Sequence, residues 1–392
     1  MNCVKRSMLV CMLAIALTTL LTAAVAEAAG LTSGKWSIVK SPNAGSDVNE
    51  LLGVAAVSTT NVWAVGYYTK NGGAQTLIER WNGTSWKVVS SPNVGSSGNV
   101  LYGVAAVSAT NVWAVGQHAN THSLGFLTLI EHWNGTSWQV VSSPNPGRHD
   151  QLKGVAAVSA TNVWAVGGYI NSSGLNQALI EHWNGTSWQV VSSPNVVSSD
   201  SGLVSVVAVS ATNVWAAGDY ANSRGVGQTL IEHWNGTSWQ VVSSPNVAGS
   251  DTNSLYGVAA VSAHDIWAVG FYSPTPTGAA RTLIEHWNGT NWQIVSSPNV
   301  GSGDNFLRGG VAAISTSDIW AVGNHSTSNG LNQTLIEHWN GTSWQVVSSP
   351  NVGSRDNFLL GVTRVPGSTS LWAVGLCIDS SGSSKTLTEF SG

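Results

Sequence analysis

The sequence predicts an all-β fold: a seven-bladed β-propeller with four antiparallel strands per blade, closed into a ring by an N-terminal strand. Three observations support this prediction. A segment of about 50 residues occurs seven times, and each copy contains several strand-like runs. The last copy lacks one run, and a segment near the N-terminus supplies its counterpart.

The repeat is marked by the segment VWAVG and its close variants, whose tryptophans recur every 50 to 53 residues. These tryptophans are Trp63, Trp113, Trp164, Trp215, Trp267, Trp320 and Trp372. A segment related to TLIEHWNGTSW follows about 20 residues downstream in six of the copies. A period near 50 residues is typical of four-stranded propeller blades rather than of helical repeats.

Each full copy contains four strand-like runs, which in the first copy are GVAAVS (53–58), VWAVGYY (62–68), QTLIERW (75–81) and SWKVVSS (85–91). They are rich in Val, Ile, Trp and Thr, and turn residues bound them. Asn82-Gly83 predicts a two-residue type I′ hairpin between the last two runs. That turn would place Glu79 opposite Trp86.

The seventh copy has the runs GVTRVP (361–366), LWAVGLC (371–377) and KTLTEF (385–390), and no fourth run. The segment KWSIVKSPN at residues 35–43 parallels SWKVVSSPN and predicts the missing strand. Residues 29–392 are therefore expected to form a single domain. Its seven blades are predicted at about 52–93, 102–145, 153–195, 204–246, 256–299, 309–351 and 360–392. Closure of the ring would protect sheet edges that otherwise invite aggregation.

Residues 1–28 have the pattern of a bacterial-type signal peptide. Lys5 and Arg6 precede an apolar run at 8–21, and small residues with A-x-A patterns follow it. This pattern predicts secretion or exposure at the cell exterior, with a membrane anchor as the alternative. No later segment is long and apolar enough to predict a membrane-spanning helix. Cleavage would leave Cys377 as the only cysteine, so no internal disulfide is expected.

The composition argues against several classes of protein. Only 9% of the residues are charged and the formal net charge is −4, whereas typical domains carry about 25% charged residues. Nucleic-acid binding depends largely on Lys and Arg at phosphates, so no nucleic-acid partner is expected. The 20 Trp and low charge also argue against disorder.

The order of parts in each copy resembles a kelch repeat, the propeller type also found in the central domain of galactose oxidase. VWAVG, a loop, LIEHW, NGTS and a final Trp follow one another as in a kelch blade. The double glycine of that pattern occurs only at Gly167-Gly168. The resemblance covers residue 35 to the end and implies a propeller fold. The repeat also looks like that of secreted bacterial propellers with near-identical blades.

Residues present in every blade are predicted to serve the blade, because a catalytic residue needs only one copy. Trp63, Trp81, Trp86 and Glu79 and their equivalents are therefore assigned structural roles. Sugar stacking on the tryptophans and a carboxylate pair for glycoside hydrolysis are the alternatives. His132 and its equivalents are replaced by Arg80 and Phe390 in two blades, which is not a metal-ligand pattern. We assign no catalytic residue, no metal site and no cofactor.

The copies differ mainly in the loops after the second and fourth runs, which strand order places on one face of the ring. Two positions at the inner rim of that face vary in chemistry, and we expect both to border the mouth of the central channel. The candidate binding residues there are Tyr67, Tyr102, Gln117, Lys153, Asp219, Tyr256, Phe271 and Arg308. A mixture of aromatic, amide and charged groups is typical of a specific pocket. Unselected drift is the alternative explanation.

The function predicted from these features is a secreted, non-catalytic binding module. It would act as a monomer and present its loop face to a glycan or an extracellular protein. A kelch-like sugar-active enzyme, such as a mutarotase or an oxidase, is the first alternative. A purely structural exterior protein is the second.

Overall fold

The structure, a computed structural model, describes residues 35–120, 125–194 and 200–392. These residues contain 29 β-strands in seven antiparallel sheets, and no helix. The predicted fold class, a seven-bladed propeller with four-stranded blades, is thereby confirmed. The signal peptide predicted at residues 1–28 lies outside the described residues.

Every blade has an innermost, a second, a third and an outermost strand. The innermost strands are β2 (Asn49–Ser58), β6 (Val100–Ser108), β10 (Arg148–Ser159), β14 (Ser201–Ser210), β18 (Thr252–Ser262), the split pair β22 (Asn305–Phe306) and β23 (Val311–Ser315), and β27 (Asn357–Arg364). The second strands are β3 (Asn61–Lys70), β7 (Asn111–Ala119), β11 (Asn162–Ile170), β15 (Asn213–Ala221), β19 (Asp265–Ser273), β24 (Asp318–Ser326) and β28 (Leu371–Ile378).

The third strands are β4 (Gly73–Trp81), β8 (Phe126–Trp133), β12 (Asn176–Trp183), β16 (Gly227–Trp234), β20 (Arg281–Trp287), β25 (Asn332–Trp339) and β29 (Ser384–Ser391). The outermost strands are β5 (Trp86–Val88), β9 (Trp138–Val141), β13 (Trp188–Val190), β17 (Trp239–Val241), β21 (Trp292–Ile294), β26 (Trp344–Val347) and β1 (Ser37–Ile38). Each innermost strand contacts those of both neighbouring blades, and the contact between β27 and β2 completes the ring.

The seventh blade is completed by the N-terminal strand, as the sequence predicts. Its sheet order is β1-β29-β28-β27, with Ser37 opposite Phe390 and Ile38 opposite Glu389. The N–H of Val39 donates to the Thr388 carbonyl at 2.9 Å. Trp36 is buried and packs edge-on against Trp320 of blade six. The first described residues therefore join the last strand of the chain and also fill an interface between blades.

The hydrophobic core lies between the blades rather than in one central cluster. Seven clusters of buried residues each combine side chains from two adjacent blades. Between blades one and two, Trp63 packs against Trp133 and Trp138, with ring centroids 5.0 and 5.3 Å apart. Buried aromatic pairs of this kind add stability beyond their area. A blade can therefore bury its apolar faces only when it has neighbours.

The connection between the third and outermost strands differs from the predicted two-residue turn. Trp81 pairs with Trp86, so residues 82–85 form the connection, and Glu79 lies opposite Val88 rather than Trp86. Gly83 has a positive φ of 98°, but Asn82 does not, so the type I′ prediction is wrong. The Asn82 side-chain oxygen instead accepts the backbone N–H groups of Thr84 and Ser85 at 3.0 and 2.9 Å. This Asx-type turn uses Asn as a local acceptor.

The glycine of the VWAVG segment is required by a close approach of the innermost and second strands. A Cβ on Gly66 would lie 1.9 Å from the carbonyl oxygen of Glu50. The equivalent glycine of every other blade would meet a carbonyl oxygen at 1.8 to 2.0 Å. No side chain fits there, which explains why this glycine is present in all seven copies.

Deleting residues 35–43 should abolish cooperative unfolding or cause aggregation. The deletion exposes the edge of β29 and removes Trp36 from its interface, and an exposed edge strand pairs readily with other chains. Thermal denaturation and size-exclusion chromatography of the deletion variant provide the measurement, with a chain starting at residue 35 as the control. An unchanged melting temperature together with monomeric elution would contradict closure by this strand.

Candidate functional site

A cavity of about 590 Å³ opens at one end of the central channel and is lined by the innermost strands of all seven blades. Each blade contributes to this cavity one residue whose chemical type differs from copy to copy. We call these seven residues the mouth ring: Leu52, Tyr102, Lys153, Val204, Tyr256, Arg308 and Leu360. The mouth ring therefore combines two cations, two phenols and three aliphatic side chains in one cavity.

The mouth-ring residues lie at bulges in the innermost strands. Leu51 pairs with Gly66 and Gly53 pairs with Val65, so Leu52 is an extra residue between two paired positions. The same register shift occurs at Tyr102, Lys153, Val204, Tyr256 and Leu360. A bulge bends its strand and redirects a side chain, and bulges are frequent beside functional sites.

Blade six has a longer irregularity at this position. Phe306 pairs with Asn324, and the next paired residue is Val311, opposite Ala321. Between them lie Leu307, Arg308 and two glycines, of which Gly310 has a positive φ of 89°. The unpaired segment is therefore longer than the single bulge residue of the other blades. It splits the innermost strand into β22 and β23, and the Arg308 side chain is exposed.

The residues that follow the mouth ring along each strand make an apolar channel wall. A small residue comes first in every blade, followed by a valine. The small residues are Gly53, Gly103, Gly154, Ser205, Gly257, Gly310 and Gly361, and the valines are Val54, Val104, Val155, Val206, Val258, Val311 and Val362. None of the described residues that line this cavity is an Asp, Glu, His or Cys.

The two mouth-ring cations rest on aromatic rings. The Lys153 Nζ lies 3.4 Å from the Tyr102 ring centroid. The Arg308 Cζ lies 3.8, 4.6 and 5.5 Å from the centroids of Phe306, Phe271 and Tyr256. Among the described residues, neither cation has a carboxylate within the 4.0 Å of an ion pair. Burial lowers the pKa of Lys153 to about 8.

The second predicted rim position lies one strand further from the axis and does not line the cavity. Gln117 and Phe271 on the second strands are 7% and 9% exposed, so they are buried behind the innermost strands and do not face the cavity. Tyr67 hydrogen-bonds to Glu50, and burial is the main cause that raises the pKa of both groups. Asp219 accepts a hydrogen bond from Ser254, and burial raises its pKa.

Asp219 does contribute to a smaller groove of about 440 Å³ between blades three and four, which Lys153 also lines. Lys153 therefore borders both the cavity and this groove. Asp219 and Lys153 are the predicted candidates that reach this second opening.

Sequence reasoning did not find Phe306 and Glu50. Both lie two residues before the mouth ring and pair with second-strand rim positions, Phe306 with Asn324 and Glu50 with Tyr67. Their position varies from copy to copy, as the mouth ring does: Glu50, Val100, Gln151, Gly202, Ser254, Phe306 and Phe358. This variation could have identified the position, because residues two apart on a strand lie on the same face of the sheet.

The variable loops meet at the same end of the ring and hold one another. The Gln75 side-chain amide donates to the Ser96 carbonyl at 2.9 Å, which joins the start of β4 to the loop after β5. The Asp304 carboxylate accepts the backbone N–H of Ala280 at 2.7 Å across the corresponding loops of blades five and six. The face around the cavity is therefore built from loops with internal support.

The repeated aromatic and basic residues lie at the interfaces between blades. Trp63 is fully buried, and the Arg80 guanidinium carbon lies 4.9 Å from its ring centroid. In blade two, His132 stacks on Trp113 at 4.1 Å. Trp81 and Trp86 are each 4% exposed and pack against Trp372 of blade seven. The residue after each repeated glutamate, whether Arg80, His132 or Phe390, therefore packs on the second-strand tryptophan of its own blade.

Each repeated glutamate is buried at the side of its blade. Glu79 is 0% exposed, and burial raises its pKa to about 8. The Ser193 hydroxyl of blade three donates to Glu232 of blade four at 2.8 Å, and burial raises the pKa of Glu232 to about 7. The Ser349 hydroxyl contacts Glu389 in the same way at 2.9 Å. These carboxyl groups lie away from the cavity.

Residues 35–120, 125–194 and 200–392 contain no cluster of three or more His, Cys, Asp or Glu side chains suited to a metal ion. Over the same ranges, no helix long and apolar enough to cross a membrane occurs. Cys377 is free and buried.

Many solved structures share this architecture at low sequence identity. YCF48 bound to D1 peptide matches with a TM-score of 0.54 at 14% identity, covering 92% of this chain and 98% of that one. YCF48 from Cyanidioschyzon merolae matches with a TM-score of 0.54 at 15% identity, covering 92% and 99%. A Trypanosoma rangeli sialidase mutant that displays trans-sialidase activity matches with a TM-score of 0.51 at 11% identity, covering 92% and 59%.

These likenesses establish the fold class, a β-propeller. No protein-family model matches the chain. A search of curated proteins also finds no match.

The Glu79→Gln variant should unfold at a higher temperature than the wild type at pH 9 and at nearly the same temperature at pH 4.5. The folded-state pKa near 8 exceeds the ordinary value of 4.5. The folded state therefore retains its proton, and stability falls as the pH rises from about 4.5 towards 8. Each pKa unit corresponds to about 1.4 kcal/mol. The measurement is melting temperature against pH.

Asp47→Asn in an exposed loop is the matched control for this prediction. It should follow the wild-type curve. If Glu79→Gln and Asp47→Asn show the same pH dependence, Glu79 is not a buried, protonated group.

Proposed function

We propose that this protein is a non-catalytic binding module whose ligand site is the cavity enclosed by the mouth ring. The observation that carries the proposal is the contrast within each blade. The scaffold is nearly the same seven times, yet the bulge residues that face one cavity differ in charge, size and polarity. A cavity with an apolar wall and a few polar groups is the usual form of a small-ligand site.

The proposed partner is a glycan or a protein, met outside the cell. The secretion part rests on the signal-like pattern at residues 1–28. The binding part rests on the cation–aromatic groups of the mouth ring that line the cavity, because aromatic and Arg side chains dominate many binding sites. The kelch-like order of strands and turns supports placing the chain near propellers of that type.

A sugar-active enzyme is the less favoured function. The repeated carboxyl groups are buried at the blade interfaces, and the cavity lining described above contains no carboxylate. A glycosidase of the common kind needs two carboxylates facing the scissile bond. The cavity therefore supports binding better than hydrolysis.

Tyr102→Ala and Tyr256→Ala should each weaken binding at least tenfold with little change in melting temperature. Both phenols line the cavity, and removal of an aromatic anchor commonly costs about 2 kcal/mol or more. Phe271→Ala should weaken binding and also lower the melting temperature, because Phe271 is buried behind Arg308. A glycan array on the mature protein selects the ligand, and titration calorimetry then compares the variants. Val88→Ala on the exposed outer edge is the control.

The stoichiometry of the same titration distinguishes the mouth from a repeated site. A groove of about 340 Å³ between blades five and six is lined by Trp339 and Trp344, and its repeated residues could form similar grooves elsewhere. One ligand per chain, lost in the tyrosine variants, supports the mouth. A stoichiometry of about six or seven that is insensitive to those variants would contradict it.

A further inference from the structure

The charge of the mouth ring is not balanced inside the cavity. Lys153 and Arg308 are the only charged residues among the described residues that line it. Three other cations of this chain have polar partners: Arg80 donates to Asn61 at 2.9 Å, Arg281 donates to the Gly303 carbonyl at 3.1 Å, and Lys385 lies 3.7 Å from Asp379. The two mouth cations share a cavity whose described lining holds no carboxylate, so a ligand with negative charge would complement both.

The aromatic rings hold these cations without neutralising them. Arg308 lies over Phe306 at 3.8 Å, so one face of its guanidinium is covered by an apolar ring. A guanidinium stacked through its face keeps its in-plane N–H groups for other acceptors. Those N–H groups form a planar fork that matches a carboxylate. Lys153, held at 3.4 Å over Tyr102, supplies a compact second charge.

The wall beyond the cations is apolar. Glycine backbone and valine side chains follow the mouth ring along the innermost strands. The valine side chains offer the hydroxyl groups of a sugar no hydrogen-bond partner, and a buried hydroxyl without a partner is costly. In addition, one face of Tyr102 and one face of Phe306 are already covered by a cation and are not free to stack on a sugar ring. An aliphatic group beside the anionic group fits this wall better.

We propose that the mouth of the channel binds the free C-terminal carboxylate of a peptide whose last side chain is aliphatic. Arg308 binds the carboxylate through its planar fork, and Lys153 on blade three adds a second positive charge to the same cavity. The glycine–valine wall receives the side chain. This inference rests on the proposed function and specifies its ligand. We choose a carboxylate because its shape matches the planar fork of the Arg guanidinium. We choose a peptide with an aliphatic last residue because valine side chains form the adjoining wall.

The pH dependence of binding gives a readout specific to Lys153. Its pKa of about 8 means that its charge is lost as the pH rises from 7 to 9. The titratable groups around Lys153 are Tyr102, whose pKa is raised by burial, and two carboxylates of the adjoining groove, Asp200 and Asp219. Burial also raises the pKa of Asp219. Tyr102 then stays neutral over this interval. Carboxylate binding should therefore weaken between pH 7 and pH 9.

The experiment uses the mature chain and the probe peptide acetyl-Ala-Ala-Val-Leu with a free carboxylate, compared with its C-terminal amide. Titration calorimetry at pH 7 should show one site per chain for the acid, with affinity at least about tenfold higher than for the amide. Arg308→Gln and Lys153→Gln should each lower the affinity for the peptide acid about tenfold and leave the affinity for the amide unchanged. Lys87→Gln, on the exposed outermost strand, is the control for loss of one positive charge. Lys153→Arg should bind the acid equally at pH 7 and pH 9.

The outcomes separate this inference from the broader proposal. Equal affinity for acid and amide, or unchanged affinity in Arg308→Gln, would overturn the carboxylate assignment. The same holds if the acid shows no saturable binding up to about 1 mM. Tighter binding of glucuronic acid than of the peptide acid would overturn the peptide assignment. In any of these cases, a glycan whose binding depends on Tyr102 and Tyr256 would leave the binding-module proposal standing.

Discussion

The burial of each blade's second-strand tryptophan against the next blade is the interaction on which the rest of the structure depends. Trp63 is fully buried, and Trp133 and Trp138 of blade two pack against it. No sheet has a complete core of its own. The ring must therefore close if every blade is to bury both of its apolar faces. The N-terminal strand achieves this by pairing with the last strand and placing Trp36 in the interface between blades six and seven. Closure also removes the edges that a stack of sheets would leave open.

The repeat constrains the interfaces and leaves the mouth free to vary. Glycines such as Gly66 allow the close strand approach beside each bulge, and the bulge residue then faces the cavity. Because that residue takes no part in strand pairing, its side chain can change from Leu52 to Tyr102 or Lys153 without a change in the strand pairing of the blade. The scaffold and the cavity are therefore determined by different residues of the same short strand.

Much of the fold could be predicted from the sequence because the tryptophan period and the unpaired terminal strand are visible as patterns. The mouth ring was partly predictable, since Tyr102, Lys153, Tyr256 and Arg308 break an otherwise regular repeat. The bulges were not, because a register shift depends on pairing geometry that composition does not encode. For the same reason the Asn82-Gly83 turn was given the wrong length, and the depth of the second-strand rim residues was misjudged. Phe306 was overlooked because its role beneath Arg308 appears only once the two strands are paired.

The central claim is that the mouth ring, and not the repeated scaffold, carries the function. The most direct test replaces Tyr102, Lys153, Tyr256 and Arg308 together with Leu, the residue that blades one and seven have at this position. Calorimetry on this uniform-mouth variant should show cooperative unfolding close to that of the wild type and no binding of the wild-type ligand. Binding equal to that of the wild type would contradict the claim, because the ligand would then be held by residues that all seven blades share.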